Sequence, residues 1–325
     1  MTNHYEHSRV RSRSTTTGWS AGRLAMDTPG SSDTSVRREW TPPLPEAPGF
    51  EHSMVETPGL RAHVASVGEG DPVLMLHGFP QHWWEWRRVA QVVAAQGYRV
   101  ICPDLRGSGW TKSDDQKFGP DTQMEDVLAV LDALGIERPH LLCHDMGAIS
   151  GMQLAYVHPE RVRTLVQLSV PPGFMEFTPK VMPAFAHMPR LIMHRPGRPL
   201  DYLFGPRYAA KPLGDSAVDA YLRVQQDPAV GRAVAAMYRG MVVPVSMRLM
   251  TGVYKRMRLH PPTLVVFGRE DGPFAEGTAR RISRKSAEKA DRFELAFVDD
   301  AAHFIVDDAP EAVAALALDW MKREG

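Results

Sequence analysis

The sequence predicts an α/β protein: a doubly wound, mostly parallel eight-stranded sheet with a helical cap inserted after the sixth strand. Three observations predict it. Short apolar runs that end in glycine or a charged turn alternate with stretches of helical periodicity. Several of those runs are apolar throughout, as expected of parallel strands buried on both faces. The alternation stops once, for a long Pro-, Arg-, Tyr- and Met-rich insert, and then resumes.

HSMVETPGLRAHVASV reads as two strands around a Pro-Gly turn. PVLMLHG (72–78) is the third strand, and WWEWRRVAQVVAAQG follows with helical spacing and a glycine stop. YRVICPD (98–104) is the fourth strand. DTQMEDVLAVLDAL (121–134) is an amphipathic helix, with Gly135 as its C-terminal stop. HLLCHD (140–145) is the fifth strand, GAISGMQLAYVHP a helix, and VRTLVQLSV (162–170) the sixth strand.

The next buried-strand signal is PTLVVFG (262–268), far beyond the few residues that usually connect such elements. Within the gap, SAVDAYLRVQQ and VGRAVAAMYRGMV are helical. The expected division is a disordered tail over 1–45, a core over 46–172 and 246–325, and a helical cap over 173–245. Nine of the 17 methionines lie between Met175 and Met257. Flexible thioethers suit an adaptable apolar wall, although core filling explains any single one. RFELAFVDD is the eighth strand and AVAALALDWMKRE a closing helix.

With 325 residues and 43% apolar content, the chain can bury one sizeable core. The 38 acidic and 38 basic residues cancel, which disfavours a nucleic-acid partner. No apolar stretch approaches the roughly 20 residues of a membrane span, so no membrane partner is expected. The Arg- and Ser-rich start has no apolar signal-peptide core. Met26 is an alternative start. Cys102 and Cys143 end apolar runs and read as buried, reduced thiols of a cytoplasmic protein. A homodimer is left open. No metal-ligand spacing, phosphate loop or nucleotide fingerprint is present, so no cofactor is expected.

The chemistry centres on LLCHDMGAISG (141–151). A nucleophile carried on a sharp strand-to-helix turn projects at the carboxyl edge of the sheet, where open α/β folds bind ligands. Such a turn needs small neighbours, here Gly147, Ala148 and Gly151. The glycine usual two places before the nucleophile is Cys143. The bland role for Asp145 is a helix cap. GWSAG (18–22) matches the serine-elbow pattern letter for letter, but no strand precedes Ser20 and the match is set aside.

An aspartate nucleophile becomes an ester, which a histidine oriented by a carboxylate can hydrolyse through water. The chain order nucleophile, acid, histidine is met by Asp145, Asp271 and His303, each at the end of a predicted strand. Glu270 rivals Asp271; loop capping and a surface position are the bland alternatives for Asp271 and His303. The main-chain N–H groups of Met146 and Phe79 would form the oxyanion hole, since Pro80 cannot donate.

These residues resemble the α/β-hydrolase superfamily and, within it, capped epoxide hydrolases with an aspartate nucleophile. The resemblance rests on His77-Gly78-Phe79-Pro80 with Trp83, Trp86 and Arg87; on Asp104-Leu105-Arg106-Gly107-Ser108-Gly109; on His144-Asp145-Met146-Gly147; and on His303-Phe304. It runs from about 50 to 322 and implies an α/β-hydrolase fold. It also implies that Asp145 opens an apolar epoxide and that His303, with Asp271, directs water at the ester to give a vicinal diol. Trp83 is expected at the substrate.

In that family two cap tyrosines hold the oxirane oxygen. Tyr238, in AMYRG, matches one; a buried phenol, neutral at pH 7, can donate that hydrogen bond. The place of the other is held by Pro189, which has no donor; His187, Tyr202 and Tyr208 are the candidates to substitute. A dehalogenase with the same Asp–His–Asp set is the main alternative. Haloalkane-type members resemble His-Gly-Asn and Asp-Trp where this chain has Phe79 and Met146, and haloacid-type members carry Asp-Arg. Another α/β-hydrolase activity, or a ligand-binding protein on a hydrolase scaffold, complete the alternatives.

Overall fold

The computed structural model describes residues 42–325. The decoy at Ser20, the alternative start at Met26 and nearly all of the expected tail lie outside the described residues.

The sheet is formed by β1 (Glu51–Thr57), β2 (Leu60–Val67), β3 (Asp71–Leu76), β4 (Tyr98–Pro103), the two-residue β5 (Lys112–Ser113), β6 (His140–His144), β7 (Thr164–Leu168), β8 (Thr263–Gly268) and β9 (Phe293–Val298). The eight expected strands are all present. The ninth, β5, pairs only at the edge with β2 and is too short to leave a periodic signal. The order is β1-β2-β4-β3-β6-β7-β8-β9. β2 pairs antiparallel with β1 and β4, and every step from β4 to β9 is parallel. The chain order therefore reverses at β3, which has β4 on one side and β6 on the other. Loops leaving β3 and β6 diverge there and open a crevice at the carboxyl edge.

Helices cover both faces. On one lie α1 (Arg87–Ala94) and the closing helix Pro310–Glu324, burying Val89, Val93, Val313, Ala317 and Trp320 against Val73, Met75 and Leu142. On the other lie α2 (Thr122–Ala133) and α3 (Asp145–Val157), burying Met124, Val127, Leu131 and Met152 against Leu74, Leu76 and Leu141. Each such side chain removed from water contributes about 1.5–3 kcal/mol, which is what holds the strand ends in place. The expected stop at Gly135 is a Schellman pair: Ile136 N–H donates to Leu131 O at 2.9 Å and Gly135 N–H to Asp132 O at 3.1 Å.

Between β7 and β8 the chain forms α4 (Met188–Ile192), α5 (Asp215–Leu222), α6 (Pro228–Met237) and α7 (Val243–Thr251), with 3₁₀ turns among them. A five-residue π-helical turn, Tyr238–Val242, joins α6 to α7. The expected boundary at 245 thus falls inside α7: apolar spacing runs on through Val245 and Leu249, both buried. Side chains tie this segment to the sheet layer. The Tyr221 hydroxyl donates to Asp307 and accepts from Arg87 at 3.0 Å. His82 bonds to the Ala220 carbonyl at 3.1 Å.

Candidate active site

β6 is buried over its whole length, and the chain turns from it into α3 at Asp145, whose φ of +44° is unusual for a side-chain-bearing residue. The turn is possible because the backbones behind it nearly touch. A Cβ at Gly147 would lie 2.2 Å from the Leu76 carbonyl oxygen, and one at Gly78 would lie 2.9 Å from the Asp145 Cβ. Gly147 N–H donates to His77 O at 3.0 Å and locks the elbow to the end of β3.

The Asp145 carboxylate does not serve its own helix. Its Oδ2 accepts from the Phe79 N–H at 2.9 Å, across 66 positions of sequence. Its Oδ1 lies 3.5 Å from His303 Nε2, and His303 Nδ1 lies 3.3 Å from Asp271 Oδ2. The three expected residues therefore stand in one line. Asp271 is 1% exposed and does not cap the turn after it with its side chain, whereas Glu270 is exposed, which decides between those two. Met146 lies in the first turn of α3, where main-chain N–H groups lack partners in their own helix. Both expected oxyanion donors thus border Asp145.

Charge distribution follows from this geometry. Burial alone would raise the Asp145 pKa. Hydrogen bonding and charge from His303, the nearby His144 and the Phe79 amide outweigh it and hold the carboxyl well below the usual range. Burial alone would lower the His303 pKa, but the two carboxylates lift it to about 10. The resting pair is a carboxylate facing an imidazolium.

Above the pair lies a cavity of about 850 Å³ of empty space, its mouth included. Met146, Met175, Met188, Phe185 and Phe274 give it apolar walls, and Asp145, Asp271, His303, His187, Tyr208 and Tyr238 its main polar atoms. No lysine or arginine is among the described lining residues. Three methionines line the wall, while Met182, Met193 and Met247 face solvent.

Tyr238 opens the π turn and is 3% exposed; its ring stands edge-on to Phe79 at 5.6 Å and to His187 at 6.0 Å. Burial, then the charge of Asp145, pushes its phenol far up, so it stays protonated. Pro189 is exposed and plays no part in the cavity. His187, two residues earlier, lines the cavity instead, and its buried Nδ1 has no hydrogen-bond partner among the described residues. Burial lowers the His187 pKa and keeps the ring neutral. Tyr208 also faces the cavity, 6.1 Å from the His303 ring; Tyr202 is instead stacked under Arg190 at 3.4 Å.

The expectation for Trp83 is corrected. Its ring is fully buried among Phe50, His52 and His63, and it does not line the cavity. A 3₁₀ turn, Trp83–Trp86, swings the ring beneath the loop, and the Trp83 main-chain N–H donates to Asp104 Oδ1 at 2.8 Å. Glu85, His144 and Ser169 also border the site, although no local signal in the sequence points to them. His144 Nε2 and Ser169 Oγ donate to the His303 carbonyl at 2.9 and 2.7 Å. Among the described residues no group of three His, Cys, Asp or Glu could hold a metal ion, and no helix is long and apolar enough to cross a membrane.

An acid on a positive-φ elbow, a histidine against it and a second acid behind it, all on strand ends beneath a covered cavity, define the hydrolase class of α/β proteins. The alpha/beta hydrolase fold family matches residues 71–310, and the chain belongs to that family. It is similar to epoxide hydrolase 2 of Siraitia grosvenorii, 41% identical over 123 residues, covering 37% of this chain and 39% of that one. The chain matches only about two fifths of the length of the first such relatives. An AB hydrolase superfamily protein of Bacillus subtilis is 26% identical over 85% of this chain and 99% of its own. Potato (Solanum tuberosum) epoxide hydrolase I superposes with a TM-score of 0.67 at 25% identity, over 84% of this chain and 99% of that one. A Vigna radiata epoxide hydrolase mutant superposes with a TM-score of 0.70 at 25% identity, over 85% and 99%.

Proposed function

We propose that the protein hydrolyses an apolar, uncharged epoxide to a vicinal diol through an ester on Asp145. The carrying observation is the Asp145 carboxylate, held by the Phe79 amide, facing a protonated phenol across a covered, largely apolar cavity. Likeness to named epoxide hydrolases over part of the sequence and most of the fold supports it.

In the first step an Asp145 oxygen attacks an oxirane carbon and the ring C–O bond breaks. The departing oxygen takes the Tyr238 hydroxyl proton, with the neutral His187 as second donor. In the second step His303 takes a proton from water as that water adds to the ester carbonyl. The Phe79 and Met146 amides hold the oxyanion. Collapse releases the diol, whose leaving oxygen takes the proton from His303, and the re-formed Asp145 acid passes its own proton to His303, which restores the carboxylate–imidazolium pair. Ester formation removes the Asp145 charge, so His303 loses one of its two carboxylate partners and gives up its proton to the Tyr238 phenolate left by the first step. That switches it from counter-ion to base. Residues 173–251 act as the cover that excludes bulk water. An uncharged substrate follows from a lining without lysine or arginine, which also leaves no partner for the carboxylate of a haloacid.

The test incubates the protein with styrene oxide, a haloalkane and a nitrophenyl ester, scoring diol, halide and phenol. Diol alone is expected. Asp145→Asn should abolish it, and His303→Gln should let a covalent ester build up, visible by mass spectrometry. Diol formation that survives Asp145→Asn would remove the mechanism.

A further inference from the structure

The wall of the cavity built by the π turn and α7 carries one polar atom that the two-step chemistry does not use. Tyr238, Val242, Ser246 and Leu249 all line the cavity, and their recurrence every three or four residues makes one helical face the wall. Beyond Tyr238 that face is apolar except at Ser246. Ser246 is 7% exposed, and the exposed part opens onto the cavity.

A serine or threonine inside a helix commonly returns its hydroxyl to a carbonyl one turn back. Ser150 does so, to Met146 O at 3.4 Å, and Thr251 does so, to Met247 O at 2.7 Å. Ser246 makes no such bond, and its hydroxyl has no partner among the described residues. The other serine of the lining, Ser169, spends its hydroxyl on the His303 carbonyl. Ser246 therefore holds a donor ready for whatever fills the cavity.

We propose that Ser246 is a specificity-determining residue that hydrogen-bonds an uncharged oxygen, hydroxyl or carbonyl, on the substrate chain remote from the oxirane. The proposal rests on the epoxide reading above and narrows its substrate class to long apolar epoxides bearing one such oxygen. Ser246 follows Tyr238 by eight residues, about 12 Å along the axis at the helical rise. With the oxirane oxygen at Tyr238, the remote oxygen falls on the order of 10 Å away, roughly eight carbon atoms along an extended chain. Val242 lies between the two on the same face, so the intervening chain meets an apolar wall. A wholly apolar chain dries the Ser246 hydroxyl and leaves it unpaired, which is unfavourable; an oxygen at that place pairs it. Selectivity is the difference between those two cases.

The test has two arms. The first compares a terminal epoxide on a ten-carbon chain with a hydroxyl at its far end and the same epoxide without that hydroxyl. Ser246→Ala should lower kcat/KM for the hydroxylated epoxide about five- to twentyfold more than for the plain one. A packing role for Ser246 would move both substrates alike, so a ratio unchanged within about twofold overturns the proposal. The second arm needs no reaction. By calorimetry, Ser246→Ala should weaken binding of the ten-carbon chain with a hydroxyl at each end about fivefold more than binding of the chain with one hydroxyl. Equal losses there overturn the proposal. If none of the epoxides yields a diol, the epoxide reading has failed, and the calorimetry still decides the Ser246 subsite.

Discussion

The strand ends and the helical segment over them contribute to one cavity but hold their side chains by different means. Asp145, Asp271 and His303 stand on turns whose positions are set by main-chain ladders: β6 pairs with β3 and β7, and β8 with β9. Tyr238, His187 and Tyr208 stand on short helices and loops fixed by side-chain packing, with a few clamps such as Tyr221–Asp307. A ladder tolerates almost no drift, because a one-residue slip reverses every side chain. Packed helices adjust by small slides, which suits a wall that must fit a substrate. The comparison teaches a division of labour within the proposed reaction: the ladder-built floor would carry the nucleophile and base, the packed cover the acid.

The hardest test of that division is Tyr238→Phe. If the cover supplies the acid, ester formation should slow by roughly two to four powers of ten, measured in a single turnover. His187→Phe should slow it further in combination. A loss below threefold would mean that the cover only encloses the site and that another donor works.

The same contrast explains what the sequence reveals. A strand buried on both faces leaves a continuous apolar run, so its carboxyl end can be found and the residue beyond it read as chemistry. Asp145, Asp271 and His303 were legible for that reason, as was the doubly wound order. Glu85 and His144 were not, although both lie inside the resembling stretches. Their partners are 59 and 159 positions distant, and no local period encodes such a contact. The π turn at Tyr238 left no signal either, since a single extra residue per turn does not disturb apolar spacing over five residues. Local sequence sets Pro189 at the place of the second donor, whereas tertiary packing brings His187 and not Pro189 to the cavity.

A smaller effect probes the floor through its charges. The raised pKa of His303 means that the folded protein binds its proton more tightly than the unfolded chain. That stabilisation is fully present below the ordinary value of 6.5 and is lost as pH rises through about 10. Asp145, held low, contributes above its ordinary value of 3.8, and its contribution is lost as pH falls through its lower folded value. The melting temperature of the unaltered protein minus that of His303→Gln should therefore shrink between pH 6 and pH 10.5. A difference that is constant or grows over that range would mean that no imidazolium faces Asp145 in the resting protein.

The smallest expected effect on activity belongs to Trp83, which separates floor from cover most finely because its neighbours in sequence belong to the site. Its ring packs on His52 at 4.7 Å and Phe50 at 5.3 Å, inside the sheet layer. Trp83→Phe removes ring volume from that packing and leaves a small void, which destabilises. It also removes a buried indole N–H that has no partner among the described residues, which offsets part of the loss. The expected cost is roughly 1 kcal/mol, with KM for styrene oxide unchanged within about twofold. A KM rise of about tenfold with unaltered melting would return Trp83 to the cavity wall and place the floor's boundary further out than the packing puts it.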